Sequence, residues 1–260
     1  MTPLNVVVLA GGQVAPEDPL FNLSPYGHRS LIDIHGKPMV QWVMDALSQS
    51  EQVGTLYVMG LSEQVGLTSE KPCVYMPDEG GIFENIHAGV TRSAQDYPDR
   101  HKVITASADI PAITSEMVDW LIGQIQAQPE KQLFYNVIPQ DVMETRFPAS
   151  ARSYVHFKEI AVCGGDINAV DVDLFAKERS LWKNLAETRK HPLQQAALLG
   201  LDTLLLVALR MITLEGAVKK ICQKLDIRAT ALVCPFAEMG MDADKPHQLA
   251  LLTETLEATS

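Results

Sequence analysis

Four apolar residues in succession, Val6-Val7-Val8-Leu9, read as a strand buried on both faces, because a strand with one wet face places a polar residue at every second position. Similar runs, rich in β-branched side chains, recur near residues 55–60, 72–76, 102–107 and 132–138. Between them the apolar period lengthens to that of a helix. Pro38 suits the first turn of a helix reaching about Ser48, whose stripe is Met39, Val43, Ala46 and Leu47. Ile82 to Ser93 reads as a second helix after Gly80-Gly81, and Thr114 as the N-cap of a third over 115–127, with Glu116 and Asp119 in or near its first turn. Such alternation is the order of a parallel sheet covered by helices on both faces.

Between about Gln140 and Val172 the pattern changes. Short β-like pieces, Tyr154-Val155-His156-Phe157 and Ile160-Ala161-Val162-Cys163, flank a turn and then meet Gly164-Gly165, which predicts an inserted antiparallel subregion. Helical segments follow from about Leu174 to Lys224 with a break at His191-Pro192. The stretch from Ala196 to Ile212 is strongly apolar, but Asp202 and Arg210 interrupt it and it is shorter than the roughly 20 residues that span a bilayer, so buried helices are expected. A late strand, Ala229 to Val233, and a helix after Pro246 complete the pattern. With no repeat, low-complexity tract or linker, the 260 residues are expected to form one domain.

Charge narrows the partners. A net charge of −11 and a pI near 5.0 argue against a general nucleic-acid or membrane-surface binder, which needs a basic footprint. The four cysteines, Cys73, Cys163, Cys222 and Cys234, show neither C-x-x-C spacing nor a neighbouring His cluster, so reduced thiols are expected. The N-terminus lacks a basic segment followed by an apolar one, so secretion is not expected and a cytoplasmic location is. Trp42, Trp120 and Trp182 fall in helix-like segments and read as packing residues.

Candidate chemistry lies where strands end. The first strand empties into Ala10-Gly11-Gly12, and paired glycines expose N–H groups that can cradle a phosphate, although such a turn can also be only a turn. Arg29 and Lys37 follow as cations. In Ser107-Ala108-Asp109-Ile110-Pro111 the carboxylate of Asp109 falls at the end of a second strand, where it could bind Mg²⁺ or hydrogen-bond into the turn before Pro111. Asp242 and Asp244, one residue apart, could share a cation; alternatively Asp244 caps the final helix and Asp242 is solvated. Arg146, Arg152, His156 and Lys158 form a basic cluster that either receives a phosphorylated acceptor or is an ordinary solvated face.

Taken in order, Leu9-Ala10-Gly11-Gly12, Arg29 before Leu31, Gly36-Lys37-Pro38-Met39, Gly81 with Asn85 and Gly89, Ala108-Asp109-Ile110-Pro111 and Asp242-Ala243-Asp244-Lys245-Pro246 resemble the MobA-like NTP transferase superfamily, nucleotidyltransferases with a glycosyltransferase-A type fold. The resemblance covers residues 4–138 well, 229–256 moderately and 140–228 loosely. It implies a three-layer α/β/α architecture with a mostly parallel, twisted, Rossmann-like sheet and a small antiparallel insertion. It also implies a nucleotide-binding half over about 1–138, an acceptor-side lobe over 139–228 and a return to the core over 229–260.

By the same resemblance, Leu9, Ala10, Gly11 and Gly12 line the base and phosphates of an NTP, Gly81 and Asn85 help hold base and ribose, and Arg29 and Lys37 balance the triphosphate. Asp109, with Asp242 and Asp244, would bind Mg²⁺, and Arg146, Arg152 and His156 would face a small phosphorylated acceptor. The implied reaction moves a nucleoside monophosphate to that acceptor and releases pyrophosphate. Two features depart from the family. The segment Gln13 to Gly27 contains no Arg or Lys where a Gly-x-Arg is usual, and Asp166 follows Gly164-Gly165 where Asn is common. A nucleotide- or nucleotide-sugar-binding module without catalysis, and a glycosyltransferase using a nucleotide sugar, stay open as alternatives.

Overall fold

The apolar run at the N-terminus forms β1 (Leu4–Leu9), and its alternation divides the core: Val6 and Val8 join one hydrophobic cluster, Val7 the other. The structure, a computed structural model, describes residues 2–177 and 201–258. After β1 a long segment of 3₁₀ turns leads to a two-residue hairpin, β2 (Asp33–Ile34) and β3 (Lys37–Pro38), and then α1 (Met39–Gln49). The chain continues through β4 (Val53–Met59), β5 (Cys73–Met76), α2 (Ile82–Asp96), β6 (Lys102–Ser107), α3 (Ser115–Ala127) and β7 (Leu133–Pro139). β4, β5 and β6 join β1 in parallel. Crossover helices require that direction.

The second half holds α4 (Gln140–Arg146), β8 (Val155–His156), β9 (Ala161–Gly164), β10 (Ile167–Asp171), α5 (Val172–Lys177), α6 (Leu201–Ala208), α7 (Leu214–Leu225), β11 (Ala229–Val233) and α8 (Pro246–Glu257). One nine-stranded sheet results, ordered β5-β4-β1-β6-β10-β7-β9-β8, with β11 also paired to β7. Helices cover both faces. Leu121, Val43 and Leu252, from α3, α1 and α8, pack on the Val6 side, and Phe83, Val90 and Phe175, from α2 and α5, on the Val7 side.

Antiparallel structure reaches further into the sheet than the sequence pattern indicated. β10 runs between β6 and β7, antiparallel to both, so the region from Gln140 to Val172 contributes a central strand as well as the peripheral pair β8–β9. Its five residues were too short and mixed to register as a strand. The helix α4 was likewise not expected, and Lys37-Pro38 is a strand before α1 instead of its first turn. Around Ala196 to Ile212 the buried reading holds only in part where side chains are described: Thr203 and Ile212 are buried, whereas Leu205, Leu209 and Met211 are each more than half exposed. The expected break at His191-Pro192 and Trp182 lie outside the described residues. All four cysteines are free, and among the described residues no helix is long and apolar enough to cross a membrane.

Two buried contacts hold β1 in register. Asn5 is fully buried, donates to Ser93 Oγ at 2.9 Å, accepts from the Thr55 N–H at 3.1 Å and also bonds Arg100. At the other end Gly60, with φ +85°, lies against the turn after β1 so closely that a Cβ would sit 2.2 Å from Gly11 Cα. Both the backbone angle and the space exclude a side chain. Gly60→Ala is expected to destabilise the fold by about 3 kcal/mol and lower Tm by roughly 6 °C or more in calorimetry.

Candidate nucleotide and metal site

Parallel pairing aligns Leu9 with Ser107, and the Ala108 N–H donates to the Leu9 carbonyl at 3.2 Å, so the turns after β1 and β6 leave the sheet side by side. A cleft of about 340 Å³ opens there, lined by Leu9, Ala10, Gly11, Gly12, Gly81, Asn85, Arg29 and Asp109 among others. This is the carboxyl-end crevice in which open α/β sheets hold ligands. The glycine turn, Gly81 with Asn85 at the start of α2, Arg29 and Asp109 therefore share one space.

Asp78, just beyond β5, fastens the turns together. Its carboxylate accepts the Gly12 N–H at 3.0 Å, the Gly80 N–H at 3.0 Å and Asn85 Nδ2 at 2.9 Å. Those donors, Asn85 first, hold the carboxyl below its usual pKa. Asn85 in turn accepts the Glu79 N–H at 2.8 Å, and a Cβ on Gly11 would sit 3.0 Å from Asp78 Cγ. Gly11 thus permits the close approach. Ser30 Oγ donates to the Ala10 carbonyl at 3.0 Å, tying the loop that bears Arg29 to the same turn.

Arg29 is itself gripped by acids. Its Nη2 donates to Asp18 at 2.5 Å and its Nη1 to Asp244. Burial opposes the guanidinium charge, and Asp244 and then Asp18 more than restore it, so its pKa is raised. Its Nε–H is buried and has no hydrogen-bond partner among the described residues.

Beyond Arg29 lies a crowded group of carboxylates. The Ser107 N–H donates to the Asp166 carbonyl and the Ala243 N–H to the Asp109 carbonyl, each at 2.9 Å, so backbone bonds bring the bulge after β9 and the loop before α8 to the end of β6. Burial pushes the Asp109 carboxyl up to about 6; the Ser107 hydroxyl, 2.5 Å away, opposes this, and the charges of Asp242 and Asp244 add to it. Asp166 is raised well above the usual carboxylate range by burial and then by Asp109 and Asp242, and Asp242 is raised by burial against the pull of Arg152. Arg152 answers the crowding: it binds Asp242, approaches Asp166 at 3.5 Å and donates to the Gly164 carbonyl at 3.2 Å.

The remaining sequence candidates lie elsewhere. Lys37 does not line the cleft; its ammonium binds Asp45 at 2.7 Å and sits 3.9 Å from the Trp42 ring centre. Arg146 donates to Glu238 at 2.7 Å, and His156 lies on β8 opposite Ala161, so the basic cluster of the sequence divides, with only Arg152 turned toward the acids. Asp244 binds Arg29 while Lys245 occupies the N-cap position of α8, so the capping alternative falls away. Sequence reasoning missed Asp18, Asp78 and the placement of Asp166. Asp78 was within reach of the same strand-end rule that singled out Asp109, because it follows β5 and precedes Gly80-Gly81.

Hard carboxylate oxygens without thiols or imidazoles suit Mg²⁺, which takes one or two carboxylates and leaves its other positions to phosphate and water. Among the described residues, no group of three or more His, Cys, Asp or Glu side chains gathers closely enough to hold a metal alone. Asp78 offers a test of the geometry that does not depend on any ligand. In Asp78→Ala, hydrogen–deuterium exchange over residues 10–13 and 78–81 is expected to quicken about tenfold while β1 stays protected.

Comparison with known proteins bears on the fold and the family. No curated protein matches the sequence. A solved hypothetical transferase from Thermus thermophilus superposes with a TM-score of 0.82 at 31% identity, over 96% of this chain and 100% of that one. The structure of CMP:2-keto-3-deoxy-manno-octonic acid synthetase complexed with CTP shares the fold at TM-score 0.62 and 14% identity, with 100% of both chains covered. A 4-diphosphocytidyl-2C-methyl-D-erythritol synthase from Anaerococcus prevotii does so at 0.60 and 8%, over 98% and 96%. A family model for the MobA-like NTP transferase domain matches residues 6–227, running from the strand that opens into the glycine turn to the end of the last crossover, and the chain belongs to that family.

Proposed function

We propose that this protein is a nucleotidyltransferase that moves a nucleoside monophosphate from an NTP to a small phosphorylated acceptor and releases pyrophosphate. The observation that carries the reading is the meeting of the Gly11–Gly12 turn, Asn85, Arg29 and Asp109 in one cleft at the strand ends. In this reading the turn lies against the nucleotide, Gly81 and Asn85 hold base and ribose, and Arg29 binds phosphate. An oxygen of the acceptor phosphate attacks the α-phosphorus in line as the bond to pyrophosphate breaks. Little covalent work falls to the side chains; they align two anions and lower their repulsion.

Asp109 with one of the late acids, Asp242 or Asp244, and with phosphate and water completing the set, would hold Mg²⁺, which when bound screens the phosphate charge. The crowding of these carboxylates, with Asp109 pushed up to about 6 by burial and by its two neighbours, supports a cation there. Lys37 is left out, since Asp45 holds it. Among the predicted acceptor residues Arg152 remains nearest, as the partner of Asp242 and Asp166.

One feature favours a second reading, a nucleotide-binding module without turnover: the segment from Gln13 to Gly27 has no arginine for the leaving pyrophosphate, and Arg29 is already neutralised. Calorimetry with the four NTPs and MgCl₂, followed by pyrophosphate detection with a panel of sugar phosphates and other phosphorylated alcohols, separates the two. A transferase releases pyrophosphate with one NTP and one class of acceptor. A module binds and releases none.

Asp109→Ala is expected to abolish Mg²⁺-dependent nucleotide binding and turnover while circular dichroism and Tm stay near wild type; unchanged activity would remove Asp109 from the site. Arg29→Ala is expected to weaken NTP binding about tenfold or more and nucleoside binding little, by calorimetry, and an equal loss for both would deny it a phosphate role.

A further inference from the structure

Asp18 lies in the long segment that departs from the family pattern, yet it is ordered into the cleft wall. Its Oδ1 accepts the Leu20 N–H at 2.8 Å, its Oδ2 meets Arg29 Nη2 at 2.5 Å, and only 18% of its side chain is exposed. Asp244 holds the other Nη of the same guanidinium, so one positive charge faces two negative ones. The two acids are not equivalent. Asp18 and Arg29 both line the nucleotide cleft, whereas Asp244 lines a neighbouring pocket with Arg152 and Lys245.

A phosphate entering the cleft therefore meets the Nη2 side of Arg29, where Asp18 already sits. Asp18 takes one of the two Nη2 hydrogens and balances part of the charge, so a phosphate arriving on that side competes with the carboxylate for the guanidinium. The buried Nε–H of Arg29, which has no partner among the described residues, supplies a further donor on the same group.

We propose that Asp18 is an internal competitor for the phosphate-binding guanidinium, holding Arg29 until a polyphosphate displaces it and so setting the affinity of the cleft for NTP and pyrophosphate. This rests on the reading of Arg29 as the phosphate residue. Pyrophosphate leaves as Asp18 returns to Arg29.

The experiment is calorimetry of the full-length protein with inorganic pyrophosphate and tripolyphosphate in MgCl₂, using Asp18→Asn, which keeps an oxygen for the Leu20 N–H and removes the charge. Tripolyphosphate and pyrophosphate are expected to bind about tenfold more tightly than to wild type, with the binding of an uncharged nucleoside unchanged. Equal or weaker polyphosphate binding would overturn the proposal. If Asp18→Asn does not fold, Asp18→Ser, which also retains an oxygen at this position, is read by the same criterion. Arg29→Ala in the same titrations keeps the two ideas apart. Undiminished binding there would overturn the phosphate role of Arg29 and this proposal with it, whereas a loss there without a gain in Asp18→Asn would overturn only the role of Asp18.

Discussion

The parallel pairing of β1 with β6 on one side and β4 on the other is the constraint on which the site depends. Because the strands run the same way and Leu9 is level with Ser107 and Met59, the turns that follow all emerge at one edge of the sheet. Gly11–Gly12, Asp109 and Gly60 come together for that reason alone. A shift of one residue would turn Val6, Val7 and Val8 to the wrong faces and separate the turns, so the same burial that stabilises the sheet sets the geometry of the cleft.

Around that edge the electrostatics are dominated by acids. Asp18, Asp109, Asp166, Asp242 and Asp244 are served by two guanidiniums, Arg29 and Arg152, each bound to more than one carboxylate. The consequence appears in Asp109 and Asp166, whose carboxyls are pushed upward first by burial and then by their acidic neighbours. For the proposed phosphate binding, so acidic a cleft must draw on cations and oriented N–H groups. Asp78 supplies order of another kind, since it ties the glycine turn to the start of α2, which carries Asn85.

The antiparallel part explains why the C-terminal loop belongs to the site. β10 enters the sheet between β6 and β7, the bulge before it carries Asp166, and the Asp166 N–H donates to the Met239 carbonyl. The loop after Met239 brings Asp242 and Asp244 to the end of β6. Residues more than a hundred positions apart thus meet through main-chain bonds.

Local pattern determined much by itself. Val6 to Val8 had to be buried, Gly11-Gly12 had to end a strand, and Asp109 and Asp242-Ala243-Asp244 stood out because charged residues beside apolar strands need a reason to be there. The longer strands and the helices from β1 to β7, the β2–β3 hairpin apart, and the last strand and helix follow from continuous apolar runs and the 3.6 period written along the chain. What only the tertiary structure decided depends on pairing across long separations. Lys37 and Arg29 look alike as cations near a glycine turn, but one reaches Asp45 and the other Asp18 and Asp244; no spacing rule distinguishes them. β10, short and mixed in polarity, becomes a central strand because two neighbours supply its hydrogen bonds, and Arg146, Arg152 and His156 separate because each follows its own element. Burial along one segment can be read locally, whereas partners for a charge exist only once distant segments meet.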